Sequence, residues 1–249
     1  MAGERWIGIA EQSDYTTANT TPAQSLRYID LDANPDQGRI IEFESARRMK
    51  EISVLGPFIG SGTINLYARP DTIGWFLKWG TGSVTSSQVD SSTVYKHDFS
   101  LGDSIKPFTT VETTGLSGVE SRALEGCLVK SLTFEAPARE VCTLSVELQY
   151  AWEELISSPS MGSLSSLRPF VFHDGTIELP DGTTVASVES FSFKWSNSIP
   201  DDTHVIGSRQ LQTIELEGAE VTVDMDLKFK NWNMRKLFYG SADASEPQT

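Results

Sequence analysis

Leu101-Gly102-Asp103-Ser104-Ile105 holds a Gly-Asp-Ser block of the kind in which an esterase serine attacks a carbonyl. That chemistry requires a histidine oriented by an acid, and an α/β scaffold to present the hydroxyl. The block lies mid-chain in a sequence without β-α alternation, so a turn between strands accounts for it better. Asp30-Leu31-Asp32-Ala33-Asn34-Pro35-Asp36 offers oxygen ligands at the spacing that opens a calcium loop, but the sixth position is Pro35 instead of glycine and the twelfth is Ile41 instead of glutamate. A solvated strand-to-loop junction is the better reading. His97, His173 and His204 have no spacing that makes a metal pair, although Asp98 and Asp174 follow two of them and could fix a tautomer. Cys127 and Cys142 are the only cysteines and fall on opposite sides of a turn near Pro137, which pairs Cys127 with a residue near 148 and Cys142 with one near 133. They are expected to be two buried free thiols, not a disulfide or a zinc site. Asn19-Thr20-Thr21 spells a glycosylation acceptor that, without a signal peptide, never meets the machinery. No nucleophile-base pair, phosphate loop or metal cluster emerges, and the expectation is a protein with no enzymatic activity, cofactor or metal.

Composition points the same way. The 249 residues are 39% hydrophobic and 22% charged, which describes a globular chain of one large or two small domains. The apolar stretches are only a few residues long, against the ~20 of a bilayer span, and Met1–Glu11 has no apolar signal region. No membrane partner is expected, and the chain is expected to be made and kept inside a cell. Twenty Lys and Arg against 34 Asp and Glu give a net charge of -14, which argues against a surface that grips phosphates by counterion release.

The elements that position these residues are mostly strands. Val129–Phe134, Cys142–Leu148, Val188–Trp195 and Val221–Leu227 alternate apolar with polar residues, the period-two signature of half-buried strands. Turn residues such as Asn34-Pro35-Asp36-Gln37-Gly38 and Pro180-Asp181-Gly182 separate them. The fold class is therefore mainly β, an antiparallel β-sandwich or β-barrel with short flanking helices. Two such helices are expected. Pro70–Trp79 opens on Pro-Asp and stops at Gly80, and Asn231–Tyr239 opens on Asn and stops at Gly240. At an offset of 161, Ile64, Leu66, Ile73, Phe76 and Leu77 fall on Met225, Leu227, Met234, Leu237 and Phe238, and Arg48 falls on Arg209. The chain thus reads as two similar modules. The expected organisation is an N-terminal arm over 1–24, a first module over 25–156, a Ser/Gly/Pro linker over 157–166, a second module over 167–244 and a tail over 245–249. Phe76, Leu77, Leu237 and Phe238 are the expected helix anchors.

With these residues in place, the chain resembles the tail tube (major tail) proteins of long-tailed bacteriophages and related tailed viruses. Gly8-Ile9-Ala10-Glu11 with Tyr15, Gly62-Thr63-Ile64-Asn65-Leu66, Tyr95-Lys96-His97-Asp98-Phe99, Val129–Glu135 and Phe191–Ile199 follow one another as the family's elements do, although Thr16 stands where the family usually has glycine. The resemblance implies a structural virion protein that self-assembles into stacked rings. These form a tube around a tape-measure protein and conduct DNA without binding it specifically. It also implies tail terminator and baseplate proteins as partners, and a place in the virion tail after assembly in the host cytoplasm. Two modules per chain make a trimeric, pseudo-sixfold ring an alternative to a hexamer. The segments Ala33–Arg47 and Asn197–Gly207 read as long loops at equivalent positions of the two modules, able to reach a neighbouring subunit. Alternation turns Asp224, Asp226 and Glu147 away from the core, and these are the expected lumen-facing acidic residues. The alternative is a β-sandwich binding module for a carbohydrate or receptor, which predicts an exposed aromatic platform at Trp152 or Trp195.

Overall fold

The computed structural model describes residues 5–42, 52–90, 92–115, 119–157, 159–178, 188–228, 232, 235–236 and 239–240. In chain order the strands begin with β1 (Ile7–Glu11), β2 (Gln24–Leu26), β3 (Asp30–Asp36), β4 (Arg39–Glu42), β5 (Ile52–Leu55) and β6 (Ile59–Tyr67). Helix α1 (Ile73–Thr81) follows, then β7 (Gly82–Gln88), β8 (Tyr95–Leu101), β9 (Phe108–Glu112), β10 (Ser121–Pro137), β11 (Thr143–Tyr150) and β12 (Trp152–Ile156). The last strands are β13 (Ser163–Leu164), β14 (Val188–Ser198) and β15 (Gly218–Leu227). The class is mainly β, as the alternation requires.

The architecture turns on the 17-residue β10, which belongs to two sheet regions. Its first half pairs with β9 on one side and β12 on the other. Its second half pairs with β11 and β14. The change of direction falls at Gly126, whose φ of +61° is open to glycine and costly for other residues. A side chain there would also meet Tyr15 O at 2.7 Å and the Ala151 Cβ at 2.9 Å. On the facing strand, Ala151 interrupts β11 and β12 and donates its N–H to Glu125 O. The two sheet regions are β13-β2-β1-β9-β10-β12 and β3-β6-β11-β10-β14-β15, so the C-terminal strands β14 and β15 extend a sheet begun by N-terminal ones. The boundary expected between residues 24 and 25 falls within β2. The stretch 157–166 contains β13, which pairs in parallel with β2, while Gly162 N–H donates to Ser25 Oγ.

Helix α1 lies against β10, and Phe76 and Trp79 are fully buried in the main core with Ile7, Ile9, Ile64, Phe108 and Leu124. The Trp79 and Phe108 rings stack with centroids 4.1 Å apart. The glycine exit expected at Gly80 occurs two residues later. Gly82 has φ +88°, and its N–H closes the helix on Lys78 O, while Gly80 continues the helix beside Val129 and Trp195. Lys78 also bonds the Glu11 carboxylate, which Lys106 approaches at 3.3 Å, and the Lys78 bond is the first cause of that carboxyl's lowered pKa. In the second expected helix, Lys236 N–H donates to Trp232 O and Tyr239 N–H to Arg235 O, the spacing of an α-helical turn, and Gly240 has φ +111°. Leu237 and Phe238 lie outside the described residues, as do 241–249.

The segment read as a long loop over 33–47 is instead partly strand. It includes the end of β3 and all of β4, which runs on in the same direction past a bend at Gly38 and pairs with β5 as β3 pairs with β6; Asp36 Oδ1 accepts the Gly38 N–H at 2.9 Å. The β10–β11 turn falls on Ala138–Val141, with Arg139 at φ +72°, a little later than the reading centred on Pro137, and pairs Leu128 with Gln149 and Glu135 with Thr143. Cys127 and Cys142 are both free and buried.

Candidate assembly surfaces

Among the described residues, those that could have done chemistry do not converge on one site. His97 Nδ1 is 2.7 Å from Ser86 Oγ across the β7–β8 hairpin, and His204 Nε2 is 3.1 Å from Phe58 O. Ser104 sits in the connection after β8, and among the described residues no histidine bonds its hydroxyl. Asp174, beside His173, accepts two bonds from the Arg168 guanidinium at 2.6 and 2.7 Å, which hold its carboxyl well below the usual range. Asp30–Asp36 is strand β3, which spreads its carboxylates along an extended backbone and cannot converge them on one ion. Among the described residues no group of three His, Cys, Asp or Glu could hold a metal. Burial pushes the Cys127 thiol up to about 12. Trp152 and Trp195 are half-buried; the former packs 4.9 Å from Phe58, and the latter donates its indole N–H to Asn197 Oδ1.

What the fold does assemble is a two-faced sheet. In an antiparallel ladder, residues directly opposite share a face. Across β3, β6, β11, β10, β14 and β15 one polar row is therefore Asp32, Thr63, Glu147, Ser131, Ser196 and Glu220, and the next is Asp30, Asn65, Ser145, Thr133, Lys194 and Thr222. Two shorter rows follow, one through Tyr67, Thr143, Glu135, Ser192 and Asp224, and one through Pro137, Ser190 and Asp226. These four rows carry seven carboxylates and one lysine, a net of -6. Glu147, Asp224 and Asp226, strands apart in sequence, thus lie on one face. Ser131 donates to Glu147 at 2.7 Å and Ser190 to Asp226 at 2.6 Å, while Asp224 is exposed.

The opposite face is apolar in its central rows, through Leu31, Ile64, Val146, Leu132, Trp195 and Val221 and then Leu66, Leu144, Phe134, Phe193 and Val223. Its burial fades toward β15. Ile64 and Val146 are 0% exposed, whereas Val221 is 50% and Val223 49% exposed. Further exposed apolar residues sit on the hairpins, Ile40, Ile41, Val54 and Leu55 on β4–β5 and Val89, Val94, Tyr95 and Leu101 on or beside β7–β8. Val205 and Ile206 add to them beside the β4–β5 base, where Arg209 bonds Gly56 O at 2.8 Å. Edges and arms of this kind are what an assembling subunit presents and a free-standing one covers.

A family model described as phage tail tube protein matches residues 6–245. The chain belongs to the phage tail tube protein family. The tube protein is accordingly a structural component of the virion tail and works within an oligomeric assembly of tail proteins. Among solved structures it is similar to the anti-feeding prophage cap, described as the AFP tube terminating cap. Identity is 12% over 61% of this chain and 88% of that one, with a TM-score of 0.36, and at that score the likeness is no guide to function. No curated protein matches the sequence. The tube protein's family-like opening has a structural use. Gly8 leaves room for Pro22, and Tyr15 is buried with Leu128, Ala151 and Leu211.

Three buried polar residues of the tube protein escaped the sequence reading. Gln12 accepts the Gly126 N–H at 2.7 Å and donates to Thr17 O at 2.8 Å, fastening the 12–17 turn to the bend in β10. Asn197 donates to Gly80 O and Val129 O, both at 2.9 Å, and so joins α1, β10 and β14. Glu125 is 7% exposed and, through burial first and Glu154 second, its carboxyl is raised to about 7. The only sequence signal for them is a polar residue beside or within an apolar strand, which is too common to single out a junction.

Proposed function

We propose that the tube protein forms stacked rings in which the acidic face of the β3-β6-β11-β10-β14-β15 sheet lines the lumen, so that DNA slides past without being held. The observation that carries this reading is the register. It gathers seven carboxylates against one lysine on one side of six strands, while the other side is apolar. A conduit wall of that sign repels phosphate and offers no counterion-release affinity. The exposed hairpins β4–β5 and β7–β8 provide contacts between subunits or between rings. Two similar modules, one over 25–156 and one over 167–244, make a three-subunit pseudo-sixfold ring the favoured stoichiometry over six subunits. The tape-measure protein fills the tube before DNA does, terminator and baseplate proteins meet its ends, and assembly takes place in the host cytoplasm. No catalytic turnover is part of the role.

Replacing Glu147, Asp224 and Asp226 together with lysine takes the net charge of these rows from -6 to zero without removing an apolar contact. Tubes should still assemble, and DNA delivery should slow at low salt and recover as salt rises, because screening acts within about 10 Å at 0.1 M. Normal delivery at low salt, with DNA coating the outside of empty variant tubes, would assign the face to the exterior. The mass of isolated rings, three or six subunits, decides the stoichiometry.

A further inference from the structure

We propose that the apolar tip of the β14–β15 loop, Val205 and Ile206, is the plug of the groove between α1 and residues 170–177 of a second copy, and that this contact stacks one ring on the next. It rests on the ring reading above and names the surfaces that meet. The groove has a volume of about 780 Å³ and is walled by Leu77, Phe134, Phe170, Phe191 and Phe193. A concavity of that size and lining buries most of the apolar group that enters it. Its two bordering carboxylates are matched, Asp174 with Arg168 at 2.6 Å and Glu189 with Lys228 at 3.3 Å, which leaves an apolar floor between neutralised pairs.

Chain geometry favours this occupant. Strand β14 starts at Val188, on the groove wall, and runs for 11 residues to Ser198, where the loop to β15 begins. Strand β6 runs the other way, from Ile59, which lines the cleft beside Val205 and Ile206, to Tyr67, opposite Thr143 and so next to the groove residue Cys142. At about 3.3 Å per residue, plug and groove stand roughly 25–35 Å apart at opposite ends of one sheet, so no chain can fill its own groove with its own plug. Copies joined through them all point the same way, the head-to-tail relation that adds units without end. In a barrel whose strands tilt about 35–45° from the axis, the two strand ends fall on the two rims.

The tip is built to project. His204 Nε2 lies 3.1 Å from Phe58 O, Arg209 donates to Gly56 O at 2.8 Å, Ser208 N–H donates to Val205 O at 3.3 Å, and Gly207 turns the chain at φ +101°. Ile206 is thereby held at 107% exposure and Val205 at 49%, with Ile40 and Leu55 lining the same cleft. An apolar side chain already fixed in place loses little freedom on docking. Charge agrees as well. Asp201 and Asp202 precede the tip, and Arg139 stands at the groove's edge beside Ala138; all three are exposed, and none forms an ion pair with a described residue.

Two full-length variants separate plug from groove. Ile206→Asp changes a side chain that is fully exposed in the subunit. Gly175→Trp fills the groove from a lining position where an added Cβ meets no atom within 4 Å. Both subunits should melt as the wild type does and both should form rings of wild-type mass. Each kind of ring alone should stack into tubes about tenfold less or worse, while Ile206→Val stacks normally. Mixed in equal amounts, the two kinds should pair, because the plug is intact on one and the groove on the other, and the product is a two-ring particle that grows no further. Wild-type stacking by Ile206→Asp, or a mixture that pairs no better than its components, would overturn the proposal. Loss of the rings themselves from Ile206→Asp would place the contact between neighbours within one ring and overturn it too. Wild-type protein that forms no rings at all would remove the ring reading and the proposal with it.

Discussion

Glu125 gives the fold a pH dependence that can be measured with one substitution. It lies in β10 just before the Gly126 bend, pairs across with Trp152, and has Glu154 two residues along the facing strand on the same side. Burial is the first cause of its raised pKa and the Glu154 charge the second, together carrying it from 4.5 to about 7. A carboxyl whose folded pKa exceeds its unfolded value binds its proton more tightly when folded. The Glu125 contribution to stability is therefore most favourable at or below pH 4.5, falls as pH rises toward 7, and stays lower above that. The rise from 4.5 to about 7, at 1.36 kcal/mol for each tenfold change in proton affinity, sets an upper limit of about 3.4 kcal/mol. Glu125→Gln keeps the shape and removes the titration, so it should stabilise the dissociated subunit by about 2–3 kcal/mol at pH 8 and by almost nothing at pH 4.5. For a chain of this size that corresponds to a rise in Tm of roughly 4–12 °C. Denaturant melts of both proteins at the two pH values measure it. An equal gap at both pH values, or a glutamine variant less stable at pH 8, would refute the reasoning.

Two further substitutions test the packing directly. Phe76→Ala removes a fully buried ring that packs against Trp79 and Phe108, and should cost about 3–5 kcal/mol in chemical denaturation, with α1 loosened from β10. Asn197→Ala strips the partners from Gly80 O, Val129 O and the Trp195 indole N–H at once. It should cost about 2–4 kcal/mol and speed hydrogen exchange at the amides of Val129 and Trp195, a change that a purely surface asparagine would not produce.

The strands were legible because their pattern is local. Thr143 to Leu148 alternates polar and apolar residues, and in the structure Leu144, Val146 and Leu148 are buried while Glu147 is exposed. A period of two needs no knowledge of neighbours to predict which side chains share a face. Helix α1 was legible from Pro70 and Asp71 as an opening and from a glycine exit, but the choice between Gly80 and Gly82 was not. Both fit the sequence, and only the approach of Val129 and Trp195 to Gly80 decides that the helix runs on. The β4–β5 hairpin is hidden in the sequence because the turn-forming Asn34-Pro35-Asp36-Gln37-Gly38 stands directly before the short Arg39-Ile40-Ile41-Glu42. Pro35 is tolerated there because β3 is an edge strand.

What no local pattern could give is the pairing of distant strands, and the assembly surfaces depend on it. Alternation turns Glu147 away from Val146, and Asp224 away from Val223, but it does not say that the two carboxylates face the same way. That follows from a chain of registers, Glu147 to Ser131, Ser131 to Ser196 and Ser196 to Glu220, each set by which apolar residues meet on the other side. A slip of one residue at β10–β14 would turn Asp224 and Asp226 toward the Phe134 side and Val221 and Val223 toward Glu147. Burial forbids that, since Phe193 already packs against the core that contains Leu132 and Leu144. The acidic face is thus a by-product of apolar packing. Its sign is written in each strand, and its continuity is written only in the fold.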